Sequence, residues 1–342
     1  IQSGISDEIE GWKMKENAKN NVLGYIKYVL ILSVFIVIGY TLLYISYENI
    51  KMRMIGSLNE RQLLHARQAA RGIEAFIIEQ KYLLAQMAKD KHIINLGDHG
   101  KEMMEAYYKV QSGDIIVITR IDEQGRILFP IPYNAKLIGK PTVLMADFES
   151  VKRTGRVWVS EVFISLRGVK SIMVQTPVFD GEHFKGTIAV LLPFDTIAKR
   201  YVEQIRIREN GYAWVISKEG IELFCPVPGH VGKSVFKNCQ EFPDIIAMAH
   251  KMIKGEQGVT TYKYNRVRRD TVDKTIKHAV YLPINLGNTF WSIVVATPED
   301  EYMDVMVEFR NRLILIAVLL LFAVSGLIFT IFRNLFLGVL TF

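Results

Sequence analysis

Four residues have the types and spacing to hold a small anion. Arg156, Trp158 and Ser160 stand in Arg156-Val157-Trp158-Val159-Ser160, and Gln175 stands in Met173-Val174-Gln175-Thr176. Alternate side chains of a strand share a face, so Arg156, Trp158 and Ser160 point the same way. An arginine offers a planar fork of donors that matches a carboxylate bidentately. A tryptophan adds an apolar wall with one N–H donor. An amide inside an apolar run is costly to bury unless it is paired, which directs Gln175 to a ligand or to a backbone partner. A second reading of the same residues stays open: Trp158 in the core, Arg156 on the surface and Gln175 bonded to main chain. Glu161, Arg167 and Lys170 read as a rim of exposed charge.

Other reactive side chains match no defined site. His92, Asp98 and His99 have no metal-site spacing and no cysteine beside them, so no metal is assigned. Cys225 and Cys239 lie 14 apart. In an oxidising compartment they can close a bridge, contributing about 3 kcal/mol by loop entropy, or remain buried free thiols. The c-type haem spacing is absent. So are Gly-x-Ser-x-Gly, His-Glu-x-x-His and a complete phosphate loop, although Gly232-Lys233-Ser234 resembles the end of one. The sequence therefore reads as non-catalytic, with no cofactor.

The elements that must carry these residues occur twice. Residues 116–141, IVITRIDEQGRILFPIPYNAKLIGKP, and residues 211–234, GYAWVISKEGIELFCPVPGHVGKS, share one order of features. Each has an apolar strand, a charged turn ending in Gly (Gly125, Gly220), a Leu-Phe strand, a Pro-bearing loop and Gly-Lys. Downstream, Pro177-Val178-Phe179 with Gly181 and Phe184 is echoed by Pro283-Ile284 with Gly287 and Phe290. The pattern predicts two copies of a module of roughly a hundred residues.

The chain has 342 residues, enough for two or three domains. Half of its residues are apolar, and two uncharged runs of 20 residues, 28–47 and 313–332, account for much of that. A helix of about 20 residues spans a hydrocarbon core of roughly 30 Å. Tyr28, Tyr40, Tyr44 and Tyr47 suit the interfacial belts. The net charge of +7 is dispersed and comes with no nucleic-acid motif, so it reads as membrane-flanking and surface charge. The start at Ile1 and the end at Phe342 suggest a piece of a longer protein that lacks a cytoplasmic part.

In order, residues 1–27 read as a loose or amphipathic cytoplasmic tail and 28–47 as the first span. Residues 48–91, without proline and rich in helix formers, predict one long stalk helix. Its Ala-rich seam can pack on its own domain or on a second copy. Residues 92–208 and 209–300 are the two modules, each with a strand pair, a Pro-rich loop, a short helix and three strands. In the first, these are a helix at 92–113, the helix 145–154, strands at 156–163, 170–179 and 184–192, and a joining helix at 194–208. Residues 301–312 connect without a break to the second span at 313–332, and 333–342 begin an output region. Arg266-Val267-Arg268-Arg269-Asp270 reads as a solvated hairpin tip.

This arrangement resembles the double Cache (dCache) domain, the extracytoplasmic sensor of many bacterial chemoreceptors, histidine kinases and diguanylate cyclases. The resemblance rests on Thr154-Gly155 before Trp158-Val159-Ser160, on 176–181 with Phe184-Lys185-Gly186, on Gly211-Tyr212-Ala213-Trp214-Val215-Ile216, and on Val231-Gly232-Lys233-Ser234. It implies an α+β fold: a stalk helix and two tandem PAS-like modules between two membrane helices. It further implies a homodimer in the cytoplasmic membrane, with residues 48–312 periplasmic or extracellular and a small organic ligand in the membrane-distal module. Tyr133 lies in the loop that roofs the family's pocket and joins Arg156, Trp158, Ser160 and Gln175 as an expected ligand contact. Amino-acid-binding members carry Arg-x-Trp-Tyr, a preceding Tyr and a later Asp. Here Val159, Val151 and the neighbourhood of Leu191 stand in those places, which favours a carboxylate without an amine. The alternative is a ligand-less module that docks a partner protein or supports a dimer.

Overall fold

The first proline of the chain is Pro130, and nothing before it forces a helix to stop. In the computed structural model, which describes residues 2–265 and 274–340, a single helix α1 runs Gln2–Met87. The expected loose tail is thus helical from Gln2, and Gly56 and Gly72 do not break the helix. The hairpin tip at 266–270 lies outside the described residues.

The chain divides into two units. One comprises residues 1–56 and 302–342 and holds two helical stretches long and apolar enough to cross a membrane, within Ile26–Met87 and Met306–Thr330. Their hydroxyls fold back on their own helices: Ser33 donates to the Leu30 carbonyl at 2.7 Å and Thr41 to that of Val37 at 2.8 Å. An apolar surround requires such internal satisfaction of polar groups.

The other unit, residues 57–301, contains the two modules. After α1 come α2 (Lys91–Asn95) and α3 (Asp98–Val110). The expected helix at 92–113 is broken at Leu96, which takes a left-handed conformation, and Gly97. The break lets α3 cross α2 so closely that a Cβ on Gly100 would meet the His92 carbonyl oxygen at 2.1 Å. The first module then has β1 (Val117–Ile121), β2 (Ile127–Ile131), α4 (Met145–Thr154), β3 (Trp158–Val159), β4 (Phe163–Ile164), β5 (Lys170–Asp180) and β6 (His183–Pro193). The second has β7 (Tyr212–Ser217), β8 (Glu222–Phe224), α6 (Val235–Asn238), α7 (Pro243–Met252), β9 (Gly258–Asn265), β10 (Lys274–Asn285) and β11 (Phe290–Pro298). The joining helix α5 (Phe194–Tyr201) is shorter than expected, and α6 had no clear signal in the sequence. Pro298 precedes α8 (Asp300–Leu340), whose first turn carries Asp300 and Glu301, favourable at a helix N-terminus.

Both sheets are antiparallel and share one strand order. The first reads β2-β1-β6-β5-β3, with β4 also on β5, and the second reads β8-β7-β11-β10-β9. The internal repeat seen in the sequence is therefore a repeat of topology. The strand expected at 156–163 is split. The Ser160 N–H donates to the Met173 carbonyl at 2.9 Å, but its hydroxyl, not its carbonyl, accepts the Met173 N–H at 2.8 Å. With the hydroxyl standing in for the carbonyl, the chain leaves the ladder before β4.

Arg120 ties α2 to the first sheet. It is 1% exposed, and its guanidinium donates to the carbonyls of Ile93 (3.2 Å), Ile94 (3.4 Å), Thr187 (3.2 Å), Lys185 (2.8 Å) and Ile121. Burial pulls its pKa down to about 10, opposed by Asp122.

The stalk part of α1 serves both modules. Leu58, Ala66, Ala69, Ala70, Ile73, Phe76, Ile77 and Leu84 are buried, so the Ala-rich seam is covered within one chain. Gln62 donates to the His278 carbonyl at 2.8 Å and to Thr297 at 3.0 Å, Glu74 accepts the Asn285 N–H at 2.6 Å, and Lys81 donates to the Leu286 carbonyl. At the start of the first module, Tyr107 donates to Gln80. Gly72 faces the ring of Tyr201, which a Cβ would meet at 2.6 Å.

The modules are joined directly as well. The Asn288 amide accepts the Val159 N–H and donates to the Val159 carbonyl, both at 2.8 Å, and Thr289 donates to Glu161. Glu161 sits there facing Glu219 and Asp147. Burial raises its pKa from 4.5 to about 7; the Thr289 hydroxyl opposes the rise and the two carboxylates add to it.

Two outcomes follow from this packing. Gly72→Ala is expected to destabilise the protein by about 1–2 kcal/mol, because overpacking outweighs the better helix propensity of alanine. In a Tyr201→Ala background the same change is expected to stabilise. A double-mutant cycle of melting temperatures checks this, and additivity would contradict the contact. For Glu161, the folded state holds the proton more tightly than the unfolded state. Its contribution is therefore fully present below 4.5 and is lost as pH rises to about 7. Discounted for part-exposure, the loss is of the order of 1 kcal/mol. Melting scans of wild type and Glu161→Gln from about pH 5 to about pH 8 should diverge, the wild type losing more stability.

Candidate functional site

Strand periodicity builds the first module's site. The odd-numbered positions of β1, β5 and β6 share one face of the sheet: Val117 pairs with Leu191, Thr119 with Ala189, and Met173 with Leu191. Part of this face is covered by α4, where buried Phe148 packs with Ile121, Met173, Ala189 and Leu191. The rest opens into a cavity of about 90 Å³, room for a few waters or a small organic fragment. Its floor is Val117, Thr119, Ile121, Met173, Ala189 and Leu191, and its far wall is Leu137, Thr142 and Val143 from the loop after β2. The turn between β4 and β5 adds Ser165, Leu166 and Arg167 to the lining. Leu166 and Arg167 are exposed, and Ser165 is held by a hydrogen bond to the Val169 carbonyl at 2.9 Å. The cavity thus has an apolar body, two threonines and one charged residue, Arg167, in its lining.

None of the five residues singled out from the sequence lines this cavity. Trp158 and Gln175 do meet, as register partners across β3 and β5. They lie beside α4: burial pushes the Asp147 carboxyl upward, and the neighbouring Trp158 opposes the rise. The Gln175 amide N–H donates to Thr187 at 2.9 Å, and its buried Oε1 has no hydrogen-bond partner among the described residues. Ser160 is spent on the backbone of β5 and on the Glu161 carbonyl at 2.8 Å. Arg156 is exposed in the bend before β3. Tyr133 is 63% exposed and rests on Phe129, ring centroids 5.8 Å apart. Arg167, read from the sequence as rim charge, is the arginine that reaches the cavity. Its signal was the tight Arg167-Gly168 turn, where Gly168 takes a positive φ of 73°.

The second module has a more polar interior. Glu222 is 2% exposed, yet its carboxylate lies 3.1 Å from His230 Nδ1 and accepts from Asn238 Nδ2 at 2.8 Å. Cys225 and Cys239 line the same small cavity with Tyr212, Tyr262 and Tyr264. Both cysteines are free thiols, so the bridge weighed from the sequence is not formed. Burial, reinforced by Glu222, pushes both thiols up, Cys239 to about 12. Lys277, fully buried, donates to the Tyr212 hydroxyl at 3.0 Å and to the Asn265 carbonyl at 2.9 Å. The sequence reading missed Glu222. The signal was present: a carboxylate inside Ile221-Glu222-Leu223-Phe224, as anomalous as the amide of Gln175. His92 and His99 meet edge to face at 4.7 Å, with His99 near Glu102 at 3.3 Å.

Comparison with known proteins places this architecture. No curated protein matches the sequence. The fold is shared with solved structures at low identity. One is an extracellular ligand binding receptor from Desulfohalobium retbaense, at TM-score 0.54 and 18% identity; the match covers 69% of this chain and 40% of that one. Another is the ligand-binding domain of the Pseudomonas fluorescens chemoreceptor CtaA in complex with L-isoleucine, at TM-score 0.56 and 17% identity, covering 76% of this chain and 98% of that one. A third is the ligand-binding domain of the Pseudomonas aeruginosa chemoreceptor PctC in complex with GABA, at TM-score 0.52 and 17% identity, covering 71% and 99%. The family model for the dCache_1 Cache domain matches residues 46–306. The repeated sheet order and this match over most of the chain agree, and the chain belongs to the dCache family of Cache-domain proteins.

Proposed function

We propose that the chain is the ligand-sensing and transmembrane-signalling part of a bacterial receptor. Its spans are 28–47 and 313–332, with 48–312 on the outer side of the cytoplasmic membrane. A small organic molecule with a short apolar body and a carboxylate binds in the first module, its carboxylate on Arg167 and its apolar part against Met173 and Leu191. The observation that carries this reading is the cavity itself: its lining is mostly apolar and cannot hold a free charge, and Arg167, an exposed residue, is the one charged side chain in that lining. Related domains hold L-isoleucine and GABA, molecules that combine an apolar stretch with a carboxylate.

The route outward is a chain of bonded contacts. β5, which floors the cavity, pairs with β3. β3 is clasped by Asn288 in the β10–β11 turn, and β11 leads through Pro298 into α8. A ligand that binds one arrangement of this clasp better than another shifts the population by its differential affinity. A homodimer about the stalk suits the same reading. Leu64, Ile78 and Tyr82 remain 56%, 61% and 63% exposed, and their spacing puts them on one side of α1.

The test is a thermal-shift screen of the full chain with short aliphatic carboxylates, amino acids and amines. At about 100 times its dissociation constant a ligand adds about 2.7 kcal/mol and moves the melting point by a few degrees. We expect a carboxylate to do so, with the shift lost in Arg167→Ala and kept in Arg156→Ala. A shift lost instead in Arg156→Ala and Trp158→Ala would move the site to the β3 edge. No shift from any compound would overturn the small-molecule reading in favour of a protein partner.

A further inference from the structure

The interior of the second module presents a different chemistry from the cavity of the first. Glu222, Cys225 and His230 each offer one donor atom, and these atoms lie within 4.8 Å of one another. They are a carboxylate, a thiol and an imidazole, a donor set suited to a borderline-soft divalent ion. Around a tetrahedral zinc such donors sit about 3.4–3.8 Å apart, so modest side-chain rotations close the site. Cys239, at the C-terminal end of α6, lies outside this group of three but lines the same cavity, where a rotation of its side chain would bring a second thiol to the ion. The cavity measures about 20 Å³, the space of a single water or ion.

The surroundings orient these donors. His230 turns Nδ1 toward Glu222, and its Nε2 lies 3.4 Å from the Tyr264 hydroxyl. A metal-bound histidine is commonly held in this way through its other ring nitrogen. Asn238 donates to Glu222 Oε1 at 2.8 Å and to the His230 carbonyl at 3.1 Å, tying α6 to both. The loop between Cys225 and His230 is pinned at its far end, where Gly232 N–H donates to the Glu222 carbonyl at 2.8 Å and Glu222 N–H to that of Lys233 at 2.9 Å.

We propose that the second module binds one zinc-class transition-metal ion through Glu222, Cys225 and His230, with Cys239 as the fourth ligand. The ion fastens the loop at 226–231 to β8 and α6. The inference is independent of the ligand in the first module.

The experiment uses the full chain in detergent, with a non-thiol reductant, loaded with zinc or cobalt(II) and dialysed. Elemental analysis should find one zinc per chain. Cobalt(II) should give a thiolate-to-metal charge-transfer band, and zinc should slow alkylation of both thiols at least tenfold. Cys225→Ser and His230→Ala should each weaken retention at least tenfold, while the His92→Ala/His99→Ala double variant keeps it. Wild-type protein without the charge-transfer band overturns the proposal, whatever the variants do. So does zinc retained by Cys225→Ser and His230→Ala but lost with His92 and His99.

Discussion

The stalk of α1 cannot satisfy itself. Its apolar stripe, Leu58 through Leu84, needs a surface to cover it, and its buried amides, Gln62 and Gln80, need partners. The two modules supply the cover and the partners: the Gln62 amide N–H groups donate into the second, and Gln80 accepts from Tyr107 at the entry to the first. One helix thereby references two sheets that, among the described residues, share no hydrogen-bonded strand. The Asn288 clasp and the Thr289–Glu161 bond add a second tie between them. A change at the first module's sheet edge therefore meets the second module through specific polar contacts and the stalk.

The duplicated fold has diverged in its interiors. In the first copy the helix-covered face keeps a cavity of apolar residues and threonines. In the second the corresponding space is nearly filled by tyrosines, a buried carboxylate, an imidazole and two thiols. The same strand order thus supports an open site in one module and a tight polar cluster in the other. The difference lies in side-chain volume and polarity at equivalent face positions, not in topology. A buried carboxylate is retained only where donors meet it, and Asn238 and His230 provide them.

Much of the fold was legible in the sequence because its signals are local. Uncharged runs of 20 residues announce apolar helices, and β-branched runs bounded by Gly announce strands. The order of features repeated in both halves announced two copies, and helix 145–154 and strand 258–265 fall where those signals put them. The misplaced elements had weak or competing local signals. The α2–α3 break depends on how closely Gly100 can approach His92, and the end of β3 depends on a Ser160 hydroxyl replacing a carbonyl.

By itself, the sequence determined the class of molecule: two apolar helices around a duplicated α+β sensor domain of the dCache family. It also determined which polar residues are anomalous, because an amide or carboxylate in an apolar run is costly wherever it lands. Only the tertiary structure decided what those residues face. Arg156 and Trp158 share a parity with Ser160, yet the bend before β3 leaves Arg156 in solvent, and Trp158 has Asp147 of α4 as its polar neighbour. Arg167 reaches the cavity because the β4–β5 turn folds over the sheet. Glu222, Cys225 and His230 converge because a loop between strand and helix brings them together. Face parity is a property of the chain, but the cover over each face is made by segments distant in sequence, and local spacing does not encode it.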